Sequence, residues 1–182
     1  MTAVPVLETP RLRLRGWQAE DFDAFAAMMA DSDVARFLTL DQLPMDRATA
    51  WRSMAMLAGH WHLRGYGMFV LEEKASGTFV GRAGPWQPEG WAGFEIGWGL
   101  VRGAWGRGFA TEAAAAAGAW AFQTFGLTEV ISLIHADNVR SQAVARRLGA
   151  IPATPTLHAG MPHTIWRAQR GDWQFPLAGP NT

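Results

Sequence analysis

The residues best suited to chemistry fall in one stretch, Ile96–Glu112, with the sequence IGWGLVRGAWGRGFATE. It reads as a strand, a glycine loop and a helix, in that order. Gly103, Gly106 and Gly108 free the backbone to bend, so several N–H groups can point at one spot, at the positive end of the helix that follows. Such a loop makes a site for a phosphate or pyrophosphate. No side-chain carboxylate falls between Ile96 and Ala110 to repel an anion. Two familiar phosphate loops fit poorly. A Walker loop ends in Gly-Lys-Ser/Thr, and the stretch has no lysine. A dinucleotide fingerprint would put Thr111 where its third Gly or Ala belongs, and it lacks a βαβ start.

The remaining elements must hold this loop. Residues 9–16, TPRLRLRG, alternate: Leu12 and Leu14 face one way, Arg11, Arg13 and Arg15 the other, as in a strand with one wet face. Residues 20–30 read as a helix carrying Phe22, Phe25, Met28 and Met29. Residues 45–63 read as a second amphipathic helix with Trp51, Met54, Leu57 and Trp61 on one stripe, broken by Gly65 and Gly67. Gly67–Glu72, Thr78–Trp86 and Ala92–Val101 follow as strands of an antiparallel meander, separated by turns at 75–77 and 88–90. Gly108–Phe125 is a long helix whose alanine run, Ala113–Ala117, lets another element approach closely; Gly126 ends it. Glu129–His135 is a strand. Val139–Leu148 is a helix capped by Asn138 or Asp137 and stopped by Gly149, and Ile151–Leu157 and His163–Gln169 are further strands. The order predicts an α/β (α+β) mixture: about seven strands in a mostly antiparallel mixed sheet, with about four helices on its faces.

Composition narrows the function class. A chain of 182 residues with 49% hydrophobic and 18% charged residues fits one domain, taken as residues 1–173, with 174–182 expected to be a loose tail. Sixteen basic residues balance sixteen acidic ones, so the overall field expected of a nucleic-acid binder is absent. Without cysteine there is no disulfide, thiol nucleophile or thiolate metal site, and no metal is expected. The first residues, MTAVPVLETPRLRLRG, do not read as a signal peptide. No apolar run reaches the roughly 18 residues of a membrane span, so the expected location is the cytoplasm. Of the basic residues only Lys74 is a lysine, which reads as codon bias.

The segment WGRGFATEA, Trp105–Ala113, resembles the acetyl-CoA pyrophosphate loop of the GNAT N-acetyltransferase superfamily, Gln/Arg-x-x-Gly-x-Gly/Ala. Trp105 takes the Gln/Arg position, Gly108 the first glycine and Ala110 the last. A tryptophan there is common in the branch resembling the ribosomal-protein N-terminal (RimJ/RimL-like) acetyltransferases. LETPRLRLR at 7–15 resembles that branch's first strand, and FEIGWGLV at 94–101 the strand that pairs with pantetheine. Asn138, Ser141 and Arg147-Leu148-Gly149 resemble the Asn-x-x-Ser/Ala…Lys-Leu-Gly-Phe segment, with Ala150 in place of Phe. The resemblance covers roughly residues 7–170.

The resemblance implies an acetyltransferase fold with a splayed central strand pair. The pantetheine arm would lie in the gap and borrow unpaired backbone groups of Leu100 and Val101. The pyrophosphate would sit on the N–H groups of Gly106, Arg107, Gly108, Phe109, Ala110 and Thr111, with the Thr111 hydroxyl as a further donor. Asn138 and Ser141 would contact the pantetheine and thioester end, and Arg140 or Arg146 could reach the ribose phosphate. Acetyl-CoA would be the co-substrate. The acceptor would be a primary amine, a protein N terminus or a small cationic amine. Glu95 is the candidate base: it shares a strand face with Gly93, Gly97 and Gly99, which would leave open space beside its carboxylate. The family's proton-donating tyrosine falls on Ala145; Ser141 could act instead, or the thiol, with a pKa of about 8.5, could leave unaided. That missing tyrosine also motivates an alternative, an acyl-CoA-binding sensor with little or no catalysis. A nucleotide-binding module is a third reading. A homodimer is compatible with such a fold.

Other features carry plainer readings. His60 and His62 are two apart, which does not place them on one helix face, and are expected to be exposed at a helix end. His135, His158 and His163 are candidates for the acceptor pocket, as are Trp17, Trp86, Trp91 and Trp98. Glu20, Asp21, Asp23, Asp31, Asp33, Asp41 and Asp46, with Arg36 the only cation between 18 and 46, could form an acidic rim that attracts an amine, or plain helix caps and a solvated face.

Overall fold

A computed structural model describes residues 4–174. Two antiparallel strands open the fold, β1 (Leu7–Glu8) and β2 (Leu12–Arg15). The alternation of β2 has the expected effect: Leu12 and Leu14 are fully buried, while Arg13 reaches Glu8 and Glu72 and Arg15 reaches Glu72 and Asp21, each at 2.8–2.9 Å. Three helices follow: α1 (Phe22–Ala30), α2 (Ser32–Leu38) and α3 (Arg47–Arg64). A meander comes next, β3 (Phe69–Glu73), β4 (Thr78–Trp86) and β5 (Glu95–Leu100). Next come α4 (Phe109–Phe125), β6 (Glu129–His135), α5 (Val139–Arg147) and the hairpin β7 (Ile151–His158) and β8 (Met161–Gln169).

The strands form one sheet in the order β1-β2-β3-β4-β5-β6-β8-β7. Every neighbouring pair is antiparallel except β5–β6, which is parallel and touches only at Glu95 opposite Ile131. The sheet therefore splays at its centre. Among the described residues there are eight strands rather than about seven, since two-residue β1 pairs with β2, and five α-helices rather than about four. The additional helix is α2. Its seven residues make barely two turns, too few for a readable period, but the Asp31 side chain caps it by accepting from Asp33 N at 2.9 Å.

Helix α4 covers one face. Its buried run Ala113–Ala117 lets it lie close on Phe69, Leu71 and Ala83, and α5 packs beside it through Val144, Ala145 and Leu148. Trp173 closes this layer: its indole donates to Ala115 O at 3.1 Å, and a side chain at Gly118 would collide with its ring. Gln174, assigned to the loose tail from the sequence, donates its N–H to Leu148 O; the rest of that tail lies outside the described residues. On the opposite face α1 and α3 bury Phe25, Met28, Met29, Ala50 and Leu57 against Met68 and Trp86. The inward stripe of α3 runs through Ala50 rather than Trp51, which is 57% exposed; alanine lets α3 sit close where an indole would not fit. His60 is buried, not exposed: it stacks on Trp86 at 4.4 Å and its Nδ1 bonds Tyr66 O, because it shares the inward face with Leu57 and Trp61. No helix among the described residues is long and apolar enough to cross a membrane.

Candidate active site

The glycine loop turns where its residues allow it. Gly106 and Gly108 take φ of +75° and +82°, a left-handed conformation that costs other residues roughly 1–2 kcal/mol. Gly108 is the residue before α4, and the helix's first backbone bond runs from Glu112 N to Gly108 O at 3.1 Å. The amides of Phe109, Ala110 and Thr111 thus have no acceptor within the helix and head its positive end. The nearest carboxylate on the helix is turned away. Glu112 accepts from Thr9 Oγ1 at 2.6 Å, Arg11 N at 2.9 Å and Arg11 Nε at 2.7 Å. Arg107 is committed elsewhere: it pairs with Glu73 and lies 4.4 Å over the Phe109 ring. The anion-binding capacity of the loop therefore resides in its backbone.

Trp105 ties this loop to its neighbours. Its indole donates to Leu100 O at 3.1 Å, and the Arg140 guanidinium of α5 lies 4.5 Å over its ring. Arg146, the other arginine considered for a ribose phosphate, lies over Trp166 instead. Of the two residues expected to offer unpaired backbone groups, Val101 N–H is paired and Leu100 is open only in part. The β4 register continues one residue past Leu100, so Val101 N–H is bonded to Val80 O at 3.1 Å, and the Leu100 carbonyl holds Trp105. By antiparallel alternation, the backbone groups of Ile96, Trp98 and Leu100 turn toward the gap beside β6. Ile96 O is taken by Ser132 Oγ at 2.7 Å, which leaves Trp98 the backbone of β5 most open to the gap.

Asn138 and Ser141 stand together at the start of α5, beside β5. The Asn138 side chain caps α5 by accepting from Ser141 N at 3.1 Å, and Ser141 Oγ accepts from the Trp98 indole at 3.2 Å. The Ser141 hydroxyl hydrogen remains free to donate. Ala145, at the position of the missing tyrosine, is buried in the layer between α5 and α4. Tyr66 packs between Phe94 and Phe125 and does not line the site.

Glu95 stands where the splayed strands part. It lies on the wall of a cavity of about 590 Å³ that also takes in Trp98, Asn138 and Ser141. It is 8% exposed, and its carboxylate accepts from Trp91 Nε1 at 2.6 Å and Leu133 N at 3.2 Å. Burial pushes its pKa up; the Leu133 and Trp91 bonds and the nearby Arg82 guanidinium offset part of this, and the carboxyl titrates at about 7. The glycines on its strand face do not leave open space. A side chain at Gly97 would come 2.7 Å from Met68 Cε, and one at Gly99 2.6 Å from Leu38 Cδ1; the glycines let α2 and Met68 close over the strand.

Beyond Glu95 the cavity is walled by Trp86 and Trp91, while Trp17 is drawn into the core by a bond to Met68 O. His135, His158 and His163 all line it. His135 Nδ1 accepts from Asp137 N at 3.1 Å, and its Nε2 lies 3.3 Å from the Gln42 side-chain nitrogen. Burial, with His163 alongside, lowers the His158 pKa. Of the two readings of the acidic N-terminal segment, helix caps and a solvated face hold rather than an acidic rim. Asp21, Asp23 and Asp33 pair with Arg15, Arg47 and Arg102, Asp31 and Asp46 cap α2 and α3, and none of these lines the cavity. The cavity carries arginines instead, Arg36, Arg52 and Arg82, which sequence reasoning did not single out. Arg82 alternates with core residues in β4 and belongs to no motif; α2, which carries Arg36, is too short to show a period.

The family model of the acetyltransferase (GNAT) domain matches residues 11–151. The chain belongs to the GNAT acetyltransferase family. It is similar to YkkB of Bacillus subtilis (strain 168), with 30% identity over 156 residues, covering 82% of this chain and 87% of that one. It is also similar to the crystal structure of an acetyltransferase from Agrobacterium tumefaciens str. C58, with 30% identity, a TM-score of 0.81 and coverage of 93% and 97%. The ribosomal L7/L12 α-N-protein acetyltransferase RimL, solved in complex with coenzyme A, shares the fold at 15% identity, with a TM-score of 0.74 and coverage of 91% and 98%. As a GNAT protein the chain is an acyltransferase that uses acetyl-CoA and acts on an amine acceptor.

Proposed function

We propose that this GNAT enzyme acetylates a primary amine by direct transfer within a ternary complex, with acetyl-CoA held by the 106–111 loop and the amine brought to Glu95. The amine nitrogen attacks the thioester carbonyl, a C–N bond forms and the C–S bond breaks. The amine's proton goes to Glu95, and the thiolate takes one from Ser141 or from solvent. The single observation that carries the reading is the placement of Glu95. A carboxyl titrating near 7 faces the cavity at the point where the central strands part, on the same wall as Ser141. A base is most useful when its pKa lies near the working pH. The open Trp98 backbone, the Asn138–Ser141 cap and the unpaired amides of Phe109–Thr111 support the cofactor end.

The test is calorimetric titration with acetyl-CoA, using ATP and NAD as controls, followed by thiol release over a panel of amines and N-terminal peptides. Selective micromolar binding of acetyl-CoA with amine-dependent thiol release is expected. Tighter binding of ATP than of acetyl-CoA would overturn the loop assignment. Binding without thiol release from any amine would favour the sensor reading.

A further inference from the structure

Of the fifteen arginines of this chain, eight form ion pairs among the described residues and seven do not, among them Arg140, Arg146, Arg147 and Arg170. Arg11, Arg13, Arg15, Arg47, Arg64, Arg102, Arg107 and Arg167 all form ion pairs on the surface or between strands. The three that line the cavity facing Glu95 form none among the described residues. Arg36 rests on the Phe37 ring at 5.2 Å, and Arg52 donates to Thr49 Oγ1 at 3.1 Å. Arg82 is the most telling. It is fixed in β4, and its Nε is buried with no hydrogen-bond partner. Burial pulls its pKa down to about 10, only partly offset by Glu95, the sole carboxylate on the cavity wall among the described residues. A buried guanidinium nitrogen with no hydrogen-bond acceptor is costly, and the planar fork of the group matches a carboxylate. The same wall carries three histidines, so the cavity's charge is positive or neutral at every point except Glu95. Met45, Met56 and Met68, with Trp86 and Trp91, give it apolar sides.

We propose that the acceptor is a small amine bearing a carboxylate, an α-amino acid with an apolar side chain, whose carboxylate is held by Arg82 with Arg52 and Arg36. The inference rests on the acetyl-transfer reading: the α-amine forms the C–N bond to the acetyl carbonyl, the C–S bond breaks, and the amine's proton passes to Glu95. A polycationic amine would enter against like charge, at a cost that rises in a low-dielectric cavity.

The experiment is thiol release at saturating acetyl-CoA with L-methionine, L-phenylalanine, their carboxamides, spermidine, kanamycin and an N-terminal peptide. Each amino acid should exceed its carboxamide and spermidine in kcat/KM by about tenfold or more, the scale for a charged group left unpaired. Arg82→Gln and Arg52→Gln should each raise KM for the amino acid by about tenfold relative to KM for its carboxamide, with acetyl-CoA affinity unchanged. Should Arg82→Gln fail to fold, Arg36→Gln and Arg52→Gln carry the same test from more exposed positions. Turnover of spermidine, kanamycin or the peptide equal to or better than that of the amino acids would overturn the inference and leave the acetyl-transfer reading intact. Loss of acetyl-CoA binding itself would remove that reading instead. If no amine releases thiol, calorimetry of L-methionine and its carboxamide into the CoA-bound protein decides: tighter methionine binding supports the inference, and equal or absent binding overturns it.

Discussion

On one side of Glu95 the candidate site is built from backbone; on the other it is built from side chains. The cofactor side consists of amides that head α4, two glycines in left-handed conformation and the open edge of β5, while Arg107, within the loop itself, is spent on Glu73. The acceptor side has arginines, histidines and indoles around a cavity, carried by α2, α3, β4 and the β7–β8 hairpin. A backbone site depends on φ and on the absence of Cβ atoms, so it tolerates side-chain change except at its glycines. A side-chain site depends on charge and size, so single replacements there should redirect it without dismantling it.

The sharpest way to break this contrast is Gly108→Val. A β-branched residue at φ +82° should force the loop out of position, and acetyl-CoA affinity should fall about 100-fold or more, about 2.7 kcal/mol. Gly103→Ala, in the same loop but with open space around it and no positive φ, should stay within about twofold by calorimetry. Equal effects of the two would mean that the loop's conformation does not matter.

Glu95→Gln comes next. The account expects kcat/KM to fall about 10²–10⁴-fold in a thiol-release assay while acetyl-CoA binding is unchanged. The same change should stabilise the fold at alkaline pH. The folded pKa of about 7 lies above the ordinary value of 4.5, so the native state binds the extra proton and loses stability as pH rises from 4.5 through 7. Urea unfolding at pH 8 should show the variant more stable by up to about 3 kcal/mol, at roughly 1.4 kcal/mol per unit. At pH 5 that advantage should be absent.

Ser141→Ala should have a smaller effect, lowering kcat about tenfold if its hydroxyl serves the leaving thiolate. Removing the acceptor for the Trp98 indole should weaken acetyl-CoA binding by only a few fold. The smallest effects belong to the acidic N-terminal helices. Asp23→Asn and Asp33→Asn break exposed pairs worth about 0.5 kcal/mol and should not move KM for any amine. A clear rise in KM would restore the acidic rim that the geometry removes.

The same division explains what could be read in the sequence. A backbone site must be written in glycines, caps and helix starts, which are local; Gly106, Gly108, the α4 alanine run and the Asn138 cap were therefore legible. So were β4 and β6, whose bounds, Thr78–Trp86 and Glu129–His135, match the expectation residue for residue. The acceptor side depends on which residues converge from distant elements, and no local pattern records that. Arg82 sits among core residues, α2 is too short to show a period, and buried His60 lies next to exposed His62 on α3. The glycines flanking Glu95 were legible as glycines, but what fills the space they leave, Met68 and Leu38, comes from elsewhere in the chain.

The central claim is that Glu95, at the junction of the two halves, takes the proton of the amine. The most direct test is the pH dependence of kcat/KM for thiol release, compared between the wild type and Glu95→Gln, with acetyl-CoA affinity measured in parallel. A base must be ionised to work, so wild-type activity should rise with pH through a limb near 7, apart from any limb set by the amine itself. The variant should lack that limb while binding acetyl-CoA as tightly. A limb near 7 that survives in Glu95→Gln would contradict the account.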